Sequence, residues 1–173
     1  YYLIRRILFV FDPEKVHYFT MDALSFLLKI PPIIWFFKKS FLSSNDKLET
    51  EVFGLKFKNP IGLAAGFDKN GEVAHNLINL GFGFSEIGTV TPKPQLGNSK
   101  PRVFRLKNDS AIINRLGFNS DGFNEVKTKL GKIGDNIIGI NIGANKNSKD
   151  FSEDYIKGIK FFSTIASYIT INI

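Results

Sequence analysis

At 173 residues and 43% hydrophobic content, the chain has apolar side chains enough for one packed unit or for part of a larger one. A net charge of +7 favours acidic partners, but the lysines and arginines are scattered with no basic run, so no nucleic acid partner is expected. The lack of cysteine excludes disulfides and thiolate metal sites, and the two histidines, His17 and His75, fit no ligand spacing, so no metal is expected.

No apolar run approaches the ~18 to 20 residues that a membrane-crossing helix needs. The chain starts on Tyr1 rather than Met and stops on Ile173 within an apolar run, so the expectation is a chain cut at both ends. Of the 24 aromatic residues (1 Trp, 5 Tyr, 18 Phe), 11 fall in the first 50 positions, which gives this segment excess apolar surface. Asp12 is a good N-cap and Pro13 a good first helical residue. Val16, Phe19, Ala23, Phe26 and Ile30 then mark one helical stripe, with His17, Met21, Leu24 and Leu28 beside it. Pro31 and Pro32 stop this helix, and a second runs from Ile33 to Leu42, rich in aromatics and flanked by Lys38 and Lys39. Ser43 to Lys47 reads as a polar linker.

After the linker the pattern becomes strand, glycine, helix, repeated. A hairpin around Gly54 comes first. Strands are expected at Ile61 to Ala65, Phe84 to Val90, Ile137 to Ile142 and Tyr168 to Ile173. Helices are expected at Glu72 to Leu80, Asp121 to Leu130 and Glu153 to Ile165. A long loop, Thr91 to Lys100, precedes an extended excursion over Arg102 to Leu106 and Ala111 to Asn114. Alternating elements with apolar strands imply a parallel sheet covered on both faces. The phosphate-gripping glycine patterns of nucleotide-binding doubly wound sheets are absent. Polar residues stand instead at successive strand ends: Lys69, Thr89, Asn141 and Asn172. One polar group per strand end is how a barrel builds its site. The expected fold is therefore α/β, the N-terminal half of a (β/α)8 barrel preceded by a two-helix extension, with domains at 1–47 and 48–173.

The most informative stretch is Asn59 to Gly71. Ala64, Ala65 and Gly66 end its strand with nothing larger than a methyl group, so a flat ligand can lie against bare backbone. Lys69 then adds a positive charge, although a lone lysine after a strand is usually an ordinary surface residue. Asn141 and Asn172 sit in isoleucine-rich strands, and each buried amide has up to four hydrogen-bonding sites to satisfy, which points to a polar ligand inside. Asn114, Arg115, Leu116, Gly117 and Phe118 form a second polar loop, which as an Asn-Gly segment could equally stabilise only itself. His17 on an apolar helix is more often a satisfied helix histidine, and Arg105 could pair with any carboxylate.

At these residues the chain resembles the class 2, quinone-dependent dihydroorotate dehydrogenases. The matching pieces are Phe11-Asp12-Pro13-Glu14 with His17, Phe57 to Gly71, Glu86 to Pro92, Lys100 to Leu106, Asn114 to Asn119 and Gly139 to Gly143. The resemblance covers essentially the whole chain, in order. It implies an FMN-dependent barrel that oxidises dihydroorotate to orotate in pyrimidine biosynthesis and passes electrons to a membrane quinone. It further implies FMN contacts at Ala65, Gly66, Thr89, Asn141 and Asn172, and substrate contacts at Lys69, at Asn114 to Phe118 (Arg115, Leu116 and Gly117 between) and at Asn172. His17 and Arg105 would line a quinone tunnel entered between the two helices. The family's serine base would lie just after Ile173, so no catalytic base is expected within the chain, and the isolated chain is expected to be inactive. The implied location is peripheral to a membrane: the cytoplasmic side of a bacterial inner membrane, or the mitochondrial inner membrane in a eukaryote. A soluble class 1 enzyme or related FMN barrel is the alternative within enzymes, disfavoured by the helical extension. A non-catalytic peripheral membrane module is the alternative outside them.

Overall fold

The computed structural model describes residues 2–42 and 45–173. Ser43 and Ser44 of the expected linker lie outside the described residues. Three helices lead the chain rather than two: α1 (Tyr2–Leu8), α2 (Pro13–Leu27) and α3 (Pro31–Phe41). The correction is at α1, whose apolar run ends too soon to show a helical period in the sequence. The side chain of Asp12 accepts from Lys15 N at 3.0 Å and caps α2, with Pro13 in its first turn. The two prolines that stop α2 also begin α3, because a proline needs no backbone donor at a helix start. Among the described residues no single helix is long and apolar enough to cross a membrane; α2 and α3 together have the length and apolarity but are bent by 104°.

A two-stranded hairpin follows, β1 (Thr50–Val52) with β2 (Leu55–Phe57), antiparallel. The main sheet has four strands: β3 (Gly62–Leu63), β4 (Phe84–Val90), β7 (Ile138–Ile142) and β8 (Tyr168–Ile171). They lie in the order β3-β4-β7-β8, and every pair is parallel. Between them come α4 (Ala74–Leu77) with a 3-10 turn to Leu80, α5 (Phe123–Leu130) and α6 (Phe151–Phe162). The excursion forms its own antiparallel ribbon, β5 (Val103–Leu106) with β6 (Ala111–Asn114).

Several expected elements are shorter than their sequence pattern, two of them beside the strand ends. The first strand keeps two residues of five because Ala-Ala-Gly has little tendency to hold a ladder and Gly66 turns at φ 104°. The first helix starts at Ala74 because the carboxylate of Asp68 accepts the amides of Glu72 and Val73, at 2.9 and 2.8 Å, and holds them in the preceding turn.

The strands separate their faces by alternation. Ile87, Ile138, Ile140 and Ile142 are fully buried and pack with Val90 against Phe123, Val126 and Leu130 of α5 and Phe162 of α6. Burying each such side chain is worth about 1.5–3 kcal/mol. A second cluster joins Met21 of α2 to Val73 and Leu77, with Leu24, Leu63 and Phe67 around it, so the extension packs directly on the sheet unit.

The opposite face of the sheet is layered, as the interior of a barrel would be. Phe84 and Tyr168 meet edge to face at its base, with ring centroids 6.4 Å apart. Gly62 and Gly139 leave room for them: a methyl group on either would overlap the ring of Phe84 or of Tyr168. Glu86, Asn141 and Thr170 come next, and Thr89 and Asn172 above them. Alternation of large and small side chains in layers is the packing rule of small barrels.

Candidate active site

At the C-terminal ends of these strands lies a cavity of about 370 Å³. Its walls are Ala64, Ala65, Gly66, Lys69, Glu86, Gly88, Thr89, Asn114, Leu116, Gly117, Phe118, Asn141 and Asn172. The segment after β3 is held beside β4 by backbone bonds: Gly66 N donates to Gly88 O at 2.9 Å, and Gly88 N to Asp68 O at 3.1 Å. A Cβ built on Gly66 would meet nothing within 4 Å, so its backbone borders open space. That fits a flat ring lying on the main chain.

Lys69 is half-buried on this loop. Burial lowers its pKa, the nearby Arg102 guanidinium lowers it further, and Glu14 partly opposes both. Asp68 beside it spends both oxygens on the amides of Glu72 and Val73, so its position is set by the backbone.

Loop 114–120 is laced to the loop before β5. Gln95 and Ser120 exchange backbone bonds at 2.9 and 3.0 Å, Gln95 Nε2 donates to Phe118 O at 2.9 Å, and Asn98 Nδ2 donates to Arg115 O at 2.8 Å. Gly117 turns at φ 72° and Phe118 at φ 52°, which brings the Phe118 ring against Gly143. Asn119 is buried with its Nδ2 on Tyr18 OH at 3.3 Å, and its Oδ1 has no partner among the described residues.

The strand-end polar groups form one chain of hydrogen bonds. Thr89 Oγ1 donates to Asn141 Oδ1 at 2.7 Å. Asn172 Nδ2 donates to Thr89 Oγ1 at 2.9 Å and approaches Asn141 Oδ1 at 3.3 Å. Asn141 Nδ2 donates to Glu86 Oε1 at 3.0 Å. Tyr168 OH and Thr170 Oγ1 both donate to Glu86 Oε2, each at 3.1 Å. Burial and the Glu86 charge hold the Tyr168 phenol well above the ordinary tyrosine range, so it stays a donor.

Ten of the residues singled out in the sequence therefore border one cavity: Ala65, Gly66, Lys69, Thr89, Asn114, Leu116, Gly117, Phe118, Asn141 and Asn172. Arg115 does not. Its guanidinium donates to Pro101 O at 3.1 Å and lies over the Phe104 ring, away from the cavity. His17 meets the Phe67 ring edge to face with centroids 5.4 Å apart, next in sequence to Gly66. Burial is the main cause of its lowered pKa, which keeps it neutral near pH 7. Arg105 donates to Phe11 O at 2.7 Å and covers the Phe9 ring, on the side of α1. Glu86 was not singled out. Its signal was available: it alternates with Phe84 and Gly88 in an apolar strand and so faces inward.

Arg102 joins the extension to this site. It is buried, and its Nη2 lies 2.6 Å from Oε1 of buried Glu14 on α2, while Lys100 approaches the same oxygen at 3.3 Å. The Arg102 hydrogen bond holds the Glu14 carboxyl below the ordinary glutamate range. A second Arg102 nitrogen donates to the carbonyls of Leu96 and Asn98.

The sequence model of the family described as Dihydroorotate dehydrogenase matches residues 47–173. A protein of Christiangramia forsetii named dihydroorotate dehydrogenase (quinone) is 50% identical over 173 residues, covering 99% of this chain and 51% of the relative. One of the same name from a Chelativorans species is 51% identical over 178 residues, covering 99% and 46%. The chain thus spans about half the length of the curated relatives it matches. Among solved structures it is similar to a dihydroorotate dehydrogenase of Eimeria tenella crystallised with ferulenol: TM-score 0.75, 38% identity, 96% of this chain and 46% of that one. It is likewise similar to a ligand-free form from that organism, at TM-score 0.70 and 43% identity, over 82% and 43%.

Proposed function

This chain belongs to the dihydroorotate dehydrogenase family, and on that premise we propose that the protein oxidises dihydroorotate to orotate, with FMN as cofactor and a membrane quinone as electron acceptor. One observation carries the reading: bare backbone at Ala65 and Gly66, the cation Lys69 and the amides of Asn114, Asn141 and Asn172 border a single cavity. The family implies a flavin, and the open space at Gly66 fits its flat ring. Ala65, Gly66, Thr89, Asn141 and Asn172 would hold that ring. The bound flavin supplies a two-electron acceptor for hydride.

The chain's own residues would anchor the other reactant. Lys69 neutralises the substrate carboxylate, and a charge-assisted contact of this kind is both strong and directional. Asn114 and Asn172 supply the mixed donors and acceptors that ring amides need. Leu116 and Phe118 border the cavity and would shield a bound ring from water. The ring proton goes to a base that we assign, from the family resemblance, to a serine beyond the present 173 residues; Glu86 is engaged by three donors and does not serve.

Residues 1–47 are proposed as the quinone-access and membrane-contacting part. Trp35, Phe36 and Phe41 of α3 are more than half exposed, and Lys38 and Lys39 flank them, as on a helix lying at a lipid surface. The contact of His17 with Phe67 supports a route from these helices to the flavin edge. The word quinone in the relatives' names supports membrane association; the cytoplasmic face of a bacterial inner membrane, or the mitochondrial inner membrane, is the proposed location.

The test is anaerobic mixing of the full-length protein with dihydroorotate. Bleaching of flavin absorbance followed by reoxidation on adding quinone is expected. A protein without flavin, or a flavin that dihydroorotate does not bleach, would overturn the reading. Reoxidation by fumarate or NAD in preference to quinone would favour the class 1 alternative.

A further inference from the structure

We propose that Glu86 is a positioning residue that fixes which way the amides of Asn141 and Asn172 face, and that it thereby makes Asn172 Oδ1 an acceptor reserved for a ring N–H of the bound ligand. The proposal rests on the dihydroorotate reading above.

The argument is one of donor and acceptor accounting. A carboxylate only accepts, whereas an amide can present either end. With Glu86 Oε1 at 3.0 Å, Asn141 must turn its NH2 group towards Glu86. Its Oδ1 then faces the strand ends and can only accept. The Thr89 hydroxyl therefore spends its one proton on Asn141, at 2.7 Å, and accepts from its other neighbour. That neighbour is Asn172, whose NH2 must point inward at 2.9 Å. Asn172 Oδ1 is left pointing away, with no hydrogen bond among the described residues, at the wall of the cavity.

The sense of every bond in this chain follows from the acid at its foot. The other two donors to Glu86 keep the acid from turning away. Tyr168 OH and Thr170 Oγ1 occupy its second oxygen, both at 3.1 Å. Asn172 is itself anchored through its main chain, where its N donates to Ile142 O at 2.9 Å and its O accepts from Tyr155 OH at 3.0 Å. The backbone thus fixes where this side chain is, and Glu86 fixes which end it shows. A site with that polarity discriminates against a ligand whose ring nitrogen carries no hydrogen, because the carbonyl would then be desolvated with no partner.

The experiment uses the full-length flavin-loaded protein and two ligands: orotate, and orotate methylated on a ring nitrogen. Binding is read from the change in flavin absorbance in Glu86→Gln and Glu86→Met. Glutamine can still offer its carbonyl to Asn141 while its NH2 faces the hydroxyls of Tyr168 and Thr170, so it should keep the wild-type preference for orotate. Methionine fills the same space without an acceptor. It should weaken orotate about tenfold, the scale of one lost hydrogen bond to a fixed acceptor, and leave the methylated ligand unchanged. Equal behaviour of Gln and Met, or equal loss for both ligands, would overturn the assignment. If the Met protein loses its flavin, Glu86→Lys decides by the same ratio, since an ammonium only donates, turns the Asn172 NH2 to the ligand and should abolish the preference for orotate; loss of flavin from both makes Glu86 a purely structural residue. A wild-type protein that shows no spectral response to orotate would instead sink the dihydroorotate reading itself.

Discussion

On the proposed reading, Lys69 anchors the substrate carboxylate. Replacing it with Ala removes a charge-assisted contact worth roughly 1.5–3 kcal/mol, so kcat/KM for dihydroorotate should fall more than tenfold, with flavin content unchanged. Steady-state kinetics on the flavin-loaded variant check this, and wild-type turnover would refute it. The sign of the pH effect follows from the same side chain. A lysine whose pKa is lowered stays cationic below that value and loses its charge as pH rises through it. Affinity for orotate should therefore fall at a lower pH than an exposed lysine would dictate, and Lys69→Ala should abolish this alkaline limb. Orotate titrations of both proteins across the alkaline range read it directly.

At the scale of elements, α2 is bound to the sheet unit by a buried ion pair and by the packing of Met21 on Val73 and Leu77. Glu14→Gln would leave the Arg102 guanidinium buried without its counter-charge, a loss of about 3–5 kcal/mol. The depressed Glu14 pKa gives this contribution a direction: complete above the ordinary glutamate value, it fades as pH falls through the depressed one. Thermal melts of wild type and Glu14→Gln should therefore differ near neutral pH and converge in acid. For α3 the expectation is the reverse. Changing Trp35, Phe36 and Phe41 together to Ser should release the full-length protein from anionic vesicles with little change in melting temperature, because these side chains are largely exposed. Co-sedimentation with vesicles measures this; unchanged binding would count against a membrane role for α3. Most of these elements were legible in the sequence, because caps, prolines and periodicity are local signals. The α2 helix was announced by Asp12 and Pro13, and β4 by its own seven residues. What was not legible depended on distant partners. Nothing local marks Glu14 as the partner of Arg102, 88 positions on. The first helix lost Glu72 and Val73 to a turn that Asp68 stabilises, and Arg115 turns from its loop's cavity to the Pro101 carbonyl. Glu86 needed the register of three strands before its donors could be named.

Over the whole molecule, the parallel sheet ends in β3 on one side and β8 on the other, and neither has a further strand beside it among the described residues. Unpaired strand edges of this kind recruit other chains. Residues 1–173 expressed alone should therefore aggregate and show no dihydroorotate oxidation even with added FMN. A soluble monomer with a cooperative melt and measurable turnover would refute this. The Glu14–Arg102 pair also has a consequence at this scale. Burial and then Arg102 depress the proton affinity of Lys69 and Glu14 offsets part of that, so α2 and the Lys69 cavity share one electrostatic balance. By thermodynamic reciprocity, any event that draws α2 away from Arg102 must loosen the grip on an anionic substrate in alkaline solution, and an anion seated on Lys69 must in turn hold α2 down. On the proposed membrane reading, α2 and α3 would then sense occupancy of the Lys69 cavity as well as admit the quinone.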